Sequence, residues 1–269
     1  MKNFRKSLLF CLLATSLLFA CQSQAADPTP EAATATLSII TETPMPSSTP
    51  EPTIEPSKTA QPTPQPTQEE LVATAQPQSL GFDYPESHYI LGISGHKQAY
   101  PLSCEASAAS DWANFFGLSV YESSIQFALP SSDNPDYGFV GQVLTDVWGQ
   151  IPPYAYGVHA GPIADVLTEK GLPAKAVVNY SLEEVKQKLS EDKPIIVWVI
   201  GNMEYSEPSE FIDSEGRSVT VAPYEHVVIL TGYSESHIRY MNNGKFYDTP
   251  NEVFLMSWGV LGNMAVISD

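Results

Sequence analysis

The residues of this chain best suited to chemistry are a cysteine, a glutamine and a histidine. Cys104 lies where a helix is predicted to begin, and the positive end of a helix dipole lowers a thiol pKa and favours the nucleophilic thiolate. Gln98, six residues upstream, can turn its amide toward the same reacting carbonyl and help to form an oxyanion hole. His226 begins a predicted buried strand far along the chain and is the candidate base. Together they predict attack of a thiol on a carbonyl carbon.

A third group is needed to orient the histidine. Asn242 lies sixteen residues beyond His226, at the end of the next predicted strand, where its side-chain carbonyl can hold the imidazole in the required tautomer. A lone cysteine at a helix start is more often a small buried hydrophobic residue. The combination of Cys104 with Gln98 and the His226 strand favours the functional interpretation.

Other polar residues near these positions are interpreted as structural. Glu105 and Asp111 are expected on solvated helix faces, and His159 is expected to stabilise its loop or line the cleft. Trp148 is expected either in the wall of the cleft or in the core. Three further histidines are expected at the surface or in packing contacts: His88, His96 and His237.

The helices that position these residues have clear signals. Apolar residues follow Cys104 at helical spacing, with Ser103 as the candidate N-cap and Gly117 as the stop. Capping boxes at Ser119 and Ser181 predict two more helices. Residues 162–170 predict another, with a proline near its start and a glycine after its end.

Strands are predicted mainly in the second half of the chain. Residues 194–201 and 226–233 are apolar and rich in β-branched residues, as buried strands are. Shorter strands, a capped helix and a terminal strand follow. Helices mainly first and strands mainly later indicate an α+β fold with an antiparallel sheet. The long turn-rich segment 129–161 between the halves is typical of a functional loop.

Composition limits both the folding unit and its partners. Residues 20–80 contain no aromatic residue and no glycine, and residues 22–80 hold 11 of the 23 prolines, so the folded domain is expected in 81–269. That domain has 24 acidic and 9 basic residues. It therefore lacks the basic surface that binds nucleic-acid phosphates, which excludes nucleic acid as a partner. Three cysteines in the whole chain exclude a disulfide scaffold or a four-cysteine zinc site, and no cofactor or metal is expected.

The first eighty residues indicate export and anchoring. Residues 1–20 have the basic start and short apolar run of a signal peptide. The sequence "LFAC" resembles a bacterial lipobox, which predicts that Cys21 is lipidated and attaches the protein to the membrane from outside the cytoplasm. An ordinary signal peptide with a chance cysteine is the alternative. Residues 22–80 are rich in Pro, Thr and Glu and predict an extended, disordered tether.

The combination of these motifs resembles the bacterial C39-like peptidase family. It comprises Q-x5-C at a helix start, "HVVILTGY" and a polar residue on the neighbouring strand, together with "NPDYGFVGQV", "WGQIPPYAYGVHAGP" and "FLMSWGVLGNMAVI". The resemblance covers nearly all of 88–269. It implies a papain-like fold with Cys104 as nucleophile, His226 as base and Gln98 in the oxyanion hole.

The chain departs from the family at the orienting residue. Members usually carry an aspartate after the second strand, whereas this chain has "YMNNGKFYD". The spacing from His226 favours Asn242, alignment of the following glycine favours Asn243, and Asp248 is a third option.

The resulting hypothesis is a membrane-anchored cysteine peptidase outside the cytoplasm, acting on a peptide or protein substrate. Two alternatives remain at this point. One is a transferase of the same chemistry, in which an amine or peptide replaces water. The other is a surface lipoprotein that binds peptide without catalysis.

Overall fold

The computed structural model describes residues 83–269. The predicted signal peptide, Cys21 and tether therefore lie outside the described residues. Five helices follow one another among many short strands, and none is long and apolar enough to cross a membrane within the described range. They are α1 (Cys104–Phe115), α2 (Glu122–Gln126), α3 (Ala160–Glu169), α4 (Leu182–Ser190) and α5 (Asn251–Gly259).

The strands form one large sheet and one small hairpin. The strands are β1 (His88–Tyr89), β2 (Ala174–Val177), β3 (Ile195–Ile200), β4 (Ser209–Ile212), β5 (Ser218–Val221), β6 (Glu225–Tyr233), β7 (His237–Asn242), β8 (Lys245–Pro250) and β9 (Ala265–Ser268). The large sheet has the order β2-β9-β3-β6-β7-β8, with β1 also paired to β6, and every pair in it is antiparallel. The α+β fold with an antiparallel sheet is confirmed.

Helix α1 packs on the central strands because one of its faces carries apolar side chains, most of them alanine. Ala106, Ala109, Trp112 and Ala113 have no exposed surface, so the helix backbone approaches the sheet closely. The indole N–H of Trp112 donates at 2.8 Å to the carbonyl of Pro194, the residue before β3. This bond satisfies the buried indole nitrogen. This packing fixes the start of α1, and with it Cys104, against the middle of the sheet.

Of the two predicted capping boxes, one is formed in the structure and the other is not. The Ser181 capping box is formed, since Ser181 Oγ accepts from the Glu184 N–H and the Glu184 carboxylate accepts from the Ser181 N–H. The box predicted at Ser119 is wrong, because α2 begins at Glu122 and that glutamate binds elsewhere. Its carboxylate accepts from the backbone N–H of Ala99 at 3.0 Å. Glu122 therefore makes a tertiary contact with Ala99 in place of the capping bond to Ser119.

The segment between α2 and α3 is irregular but held at defined points. Isolated bridges pair Ser131 with Phe139 and Val140 with Gly157. The prediction of a long loop is thus confirmed in form. Its second half brings Trp148 and the backbone of Val158 to the region where α1 meets β6.

Candidate active site

Cys104 is the first residue of α1 and lies against β6. Its thiol donates to Glu105 Oε2 with an Sγ···O distance of 3.2 Å. As the first helical residue, it also has a backbone N–H with no partner within the helix. Ser103 precedes the helix as predicted, but its hydroxyl makes no capping bond and instead donates to the Tyr100 carbonyl and to Glu122.

His226 and Asn242 come together across the pairing of β6 with β7. The imidazole Nε2–H of His226 donates to Asn242 Oδ1 at 3.0 Å. In a neutral imidazole this bond places the proton on Nε2 and leaves Nδ1 as the basic nitrogen. Trp148 packs edge-on against the imidazole with 6.2 Å between ring centroids, and its indole N–H donates to the Glu225 carbonyl at 2.7 Å. Trp148 therefore lies in the wall of the cleft.

The two other candidates for the orienting role lie elsewhere. Asn243 Nδ2 donates to Asn242 Oδ1 at 3.0 Å, while Asn243 Oδ1 accepts from the Gln98 N–H at 2.9 Å. Asp248 faces Arg239 at 3.5 Å. Asn243 thus links the Gln98 loop to the Asn242–His226 pair, and of the three candidates Asn242 is the one that bonds to the imidazole.

The tight turn between β7 and β8 accounts for this arrangement. Asn243 and Gly244 both have positive φ, as the two central residues of a hairpin turn require, and Asn242 pairs directly with Lys245. A Cβ on Gly244 would lie 2.5 Å from the Gly95 carbonyl oxygen. Only glycine lets the turn pack this closely on the chain that leads to Gln98.

Gln98 lines the same cleft as Cys104, yet its amide is engaged. Nε2 donates to the carbonyls of Tyr100 at 2.9 Å and Pro101 at 3.3 Å. The loop that carries it is held from beneath by His96, whose ring nitrogens bind Asp111 at 2.6 Å and Glu122 at 2.8 Å. Burial lowers the pKa of His96, but its bonds to both carboxylates outweigh burial and raise it. His96 was predicted as a surface or packing residue, and it holds the Gln98 loop.

These side chains share an open cleft of about 280 Å³. Its lining includes Gln98, Cys104, Trp148, His226, Asn242 and Asn243. The cleft therefore collects the predicted nucleophile, base and amides in one place. His159 lies elsewhere, with its Nδ1 2.6 Å from Asp136 Oδ1 in its own loop.

The charge environment of the thiol differs from the prediction. Burial, followed by the charges of Glu105 and Glu225, raises the pKa of Cys104 well above its ordinary value. Burial also lowers the pKa of His226, although its bond to Asn242 opposes the change. The helix dipole was expected to lower the thiol pKa, and that expectation is wrong because two buried carboxyl groups and desolvation outweigh it. Both shifts favour a neutral thiol and a neutral imidazole at rest.

The prediction that Glu105 and Asp111 face solvent is also wrong. Glu105 is 1% exposed and Asp111 is 6% exposed. Glu105 Oε1 accepts from the Val158 N–H at 2.7 Å, and burial raises its pKa to about 7. Asp111 binds His96, and burial raises its pKa too. Both residues were missed because their partners are distant in the sequence.

The neutral thiol gives a prediction for chemical labelling. We expect Cys104 to react slowly with iodoacetamide near pH 7, and the rate to keep rising with pH beyond the range in which an ordinary thiol ionises, because only the thiolate attacks. Mass spectrometry of the Cys104 peptide across a pH series measures this. Rapid, pH-independent labelling near pH 6 would mean that Cys104 rests as a thiolate.

A second prediction concerns the orienting residue. Asn242→Ala should lower kcat on the order of tenfold to a hundredfold, because the imidazole loses the bond that fixes its tautomer. Asn243→Ala should cost less than about tenfold, since a typical hydrogen bond contributes a net of about 0.5–1.5 kcal/mol. Asn242→Asp should retain much of the activity and raise the pKa of His226, because a carboxylate stabilises the imidazolium.

Steady-state kinetics of the three variants as a function of pH test this assignment. Full activity of Asn242→Ala beside a crippled Asn243→Ala would move the role one residue along the chain. Full activity of both would transfer it to Asp248 or leave a Cys–His pair without an orienting residue.

Comparisons with known proteins agree with the fold. A family model described as "Peptidase_C39 like family" matches residues 90–266. A crystal structure of a candidate C39-like peptidase from Bacillus anthracis is 21% identical, with a TM-score of 0.60 over 68% of this chain and 97% of that one. Among curated proteins, no significant match was found.

Two other solved structures are less similar. A double-glycine-motif protease from an AMS/PCAT transporter, in complex with its leader peptide, is 15% identical with a TM-score of 0.41, over 67% of this chain and 95% of that one. Xylellain, a cysteine protease from Xylella fastidiosa, is 12% identical with a TM-score of 0.42, over 70% and 87% respectively.

Proposed function

Because this chain belongs to the C39-like family of cysteine peptidases, we propose that it hydrolyses peptide bonds at the cleft formed by α1, β6 and β7. The observation that carries the proposal is that Cys104 lines one cleft with a histidine already oriented by Asn242. A thiol, a base of fixed tautomer and amide donors for the oxyanion are the parts that acyl transfer requires.

The reaction begins with proton transfer. Nδ1 of His226 takes the Cys104 proton as the sulfur attacks the substrate carbonyl, and Asn242 supports the imidazolium that forms. Proton transfer at the moment of attack suits a pair that rests in the neutral state. His226 then returns the proton to the leaving amine, and water hydrolyses the acyl-enzyme.

The developing oxyanion has two candidate donors. The backbone N–H of Cys104 points out of the helix end, and the Gln98 amide lies in the same cleft. The longer of the two Gln98 bonds, 3.3 Å to the Pro101 carbonyl, is the one that an oxyanion would replace. Gln98 can keep its shorter bond to Tyr100 and so remain positioned.

Cleavage of a peptide library tests this function directly. The full chain, purified in detergent, should generate new peptide termini that mass spectrometry identifies, and the Cys104→Ala chain should generate none. Products that carry an added amine or peptide would indicate a transferase. Identical profiles for both chains would refute catalysis by Cys104 and favour a binding protein.

We further propose that residues 1–20 direct export, that lipid on Cys21 anchors the protein outside the cytoplasm, and that residues 22–80 form a tether. The support is the lipobox-like "LFAC" and the proline-rich composition that follows it. The acidic domain is poorly suited to hold an anionic membrane by charge, which favours an anchor of another kind, such as lipid on Cys21.

The anchor gives a simple expectation. The wild-type protein should partition into detergent with the membrane fraction, because buried acyl chains contribute roughly 0.8 kcal/mol for each methylene group. Cys21→Ser should be released or remain unprocessed, and Cys11→Ser is the matched control. Equal partitioning of wild type and Cys21→Ser would rule out lipidation at this residue.

A further inference from the structure

Two buried carboxyl groups lie beside the candidate nucleophile. Glu105 is 1% exposed and Glu225 is 2% exposed. One carboxylate oxygen from each and the sulfur of Cys104 lie within 4.8 Å of one another. These three side chains, the buried cluster, come from the start of α1 and the start of β6.

Glu225 has no hydrogen-bond partner among the described residues. Both of its carboxylate oxygens are buried without a bond, although burying an unpaired carboxylate is costly. The oxygens of Glu105 are shared between the Val158 N–H and the Cys104 thiol. Within residues 83–269 no ion pair supplies a lysine, arginine or histidine to either glutamate. The buried cluster therefore lacks positive charge.

The spacing of the buried cluster is compatible with a bound cation. Two carboxyl groups that share a proton approach to about 2.5–2.7 Å, and no hydrogen bond joins Glu105 to Glu225. Tetrahedral ligands of one zinc ion, each about 2.0–2.3 Å from the metal, lie roughly 3.3–3.8 Å apart. The three ligand atoms lie within 4.8 Å of one another, so small side-chain movements would bring them to this spacing around an ion.

The chain also keeps space for these carboxylates. Gly157 has a φ of +130°, and a Cβ there would lie 2.1 Å from Glu105 Oε1 and 3.3 Å from Glu225 Oε2. A side chain at this position would displace Glu105 and crowd Glu225. The loop residue thus leaves the buried cluster intact.

We propose that Cys104, Glu105 and Glu225 bind a zinc-class divalent cation, which occupies the nucleophile and keeps the enzyme inactive until the ion is removed. A thiolate beside two carboxylates suits zinc and similar transition metals, whereas calcium and magnesium prefer oxygen ligands alone. Cys104 lines the cleft, so an ion can reach its sulfur from solvent.

Binding exchanges one bond for another without a redox step. The S–H bond of Cys104 breaks and the sulfur forms a bond to the metal, while the thiol proton and any proton held by Glu105 or Glu225 leave to solvent. The sulfur electron pair that would attack a carbonyl is then held by the metal. The inhibition rests on the proposed peptidase function, whereas the binding site does not.

Cobalt is a suitable probe because a thiolate bound to cobalt gives a charge-transfer band in the near ultraviolet. The untagged full chain in detergent should develop this band with about one equivalent of cobalt and lose it when zinc is added. Cys104→Ser should lack the band. Glu105→Gln and Glu225→Gln should each weaken zinc affinity, measured by competition with a chelator, by at least about tenfold to a hundredfold.

Controls separate binding, folding and inhibition. Glu235→Gln, at an exposed carboxylate outside the buried cluster, should bind cobalt as wild type does, and thermal melting should show that each glutamine variant folds. No band, or a band that persists unchanged in both glutamine variants, would overturn the site. A normal band in a chain that cleaves peptides equally well with zinc would overturn the inhibitory role. A normal band in a chain without any peptidase activity would leave the site standing and refute the proposed function.

Discussion

Replacing Cys104 by alanine should leave essentially no turnover, a loss of kcat on the order of 10⁴-fold or more. The reason is that a residue which forms the covalent intermediate has no substitute in the site. Cys104→Ser should be nearly as inactive, because a serine hydroxyl is a far weaker acid than a thiol and burial keeps the pKa of His226 low. Hydrolysis of a peptide identified by library profiling measures both variants.

The same pair of variants tests the alternative that Cys104 is only a small buried residue. If the residue were only a small buried group, alanine and serine would fill the position and activity would persist. Thermal melting provides the control, since neither substitution removes much apolar surface. A stable Cys104→Ala protein with wild-type kcat would exclude a thiol mechanism.

Removing the base should have the second largest effect. We expect His226→Ala to lower kcat by roughly 10²–10⁴-fold, the usual contribution of a positioned general base. Because the pKa of the thiol is raised, the residual rate should increase steadily as pH rises and solvent hydroxide takes over the deprotonation. The wild-type rate should instead level off once His226 is neutral.

Added imidazole offers a sharper test of the same residue. The alanine variant leaves space beside Trp148, so free imidazole should restore part of the rate to His226→Ala and none to Cys104→Ala. His237→Ala, at an exposed histidine on β7, is the matched control and should retain full activity. A His226→Ala enzyme with full kcat and an unchanged pH profile would show that another group accepts the proton.

Much of the fold could be predicted because the deciding signals are local. The apolar runs of β3 and β6 are buried along their whole length apart from His226, and the Ser181 box is formed within four residues of sequence. The Ser119 box failed for the opposite reason. Glu122, the glutamate of that box, bonds to Ala99 and His96. These partners lie more than twenty residues upstream, so local sequence does not predict them.

The residues predicted for the candidate site line one cleft, whereas the charge environment of that cleft was not predictable. Residue types and spacing suffice to name Cys104, His226 and Asn242, and the structure places them on one cleft. The raised thiol pKa was not predictable, because it depends on Glu225 being beside Glu105, more than a hundred residues away along the chain. The start of a helix can be predicted from sequence, and its dipole with it. A carboxylate that another strand brings next to the thiol cannot.

The turn between β7 and β8 has an evolutionary consequence. Hairpin turns are usually positions where chain length drifts freely, because their tips face solvent. Here the turn is confined on one side by the Gly95 carbonyl and on the other by the bond from Gln98 to Asn243. An insertion would leave the sheet paired but would separate the amide loop from the histidine. Among descendants of this chain, a lengthened turn would therefore mark lineages that keep the fold after losing hydrolysis.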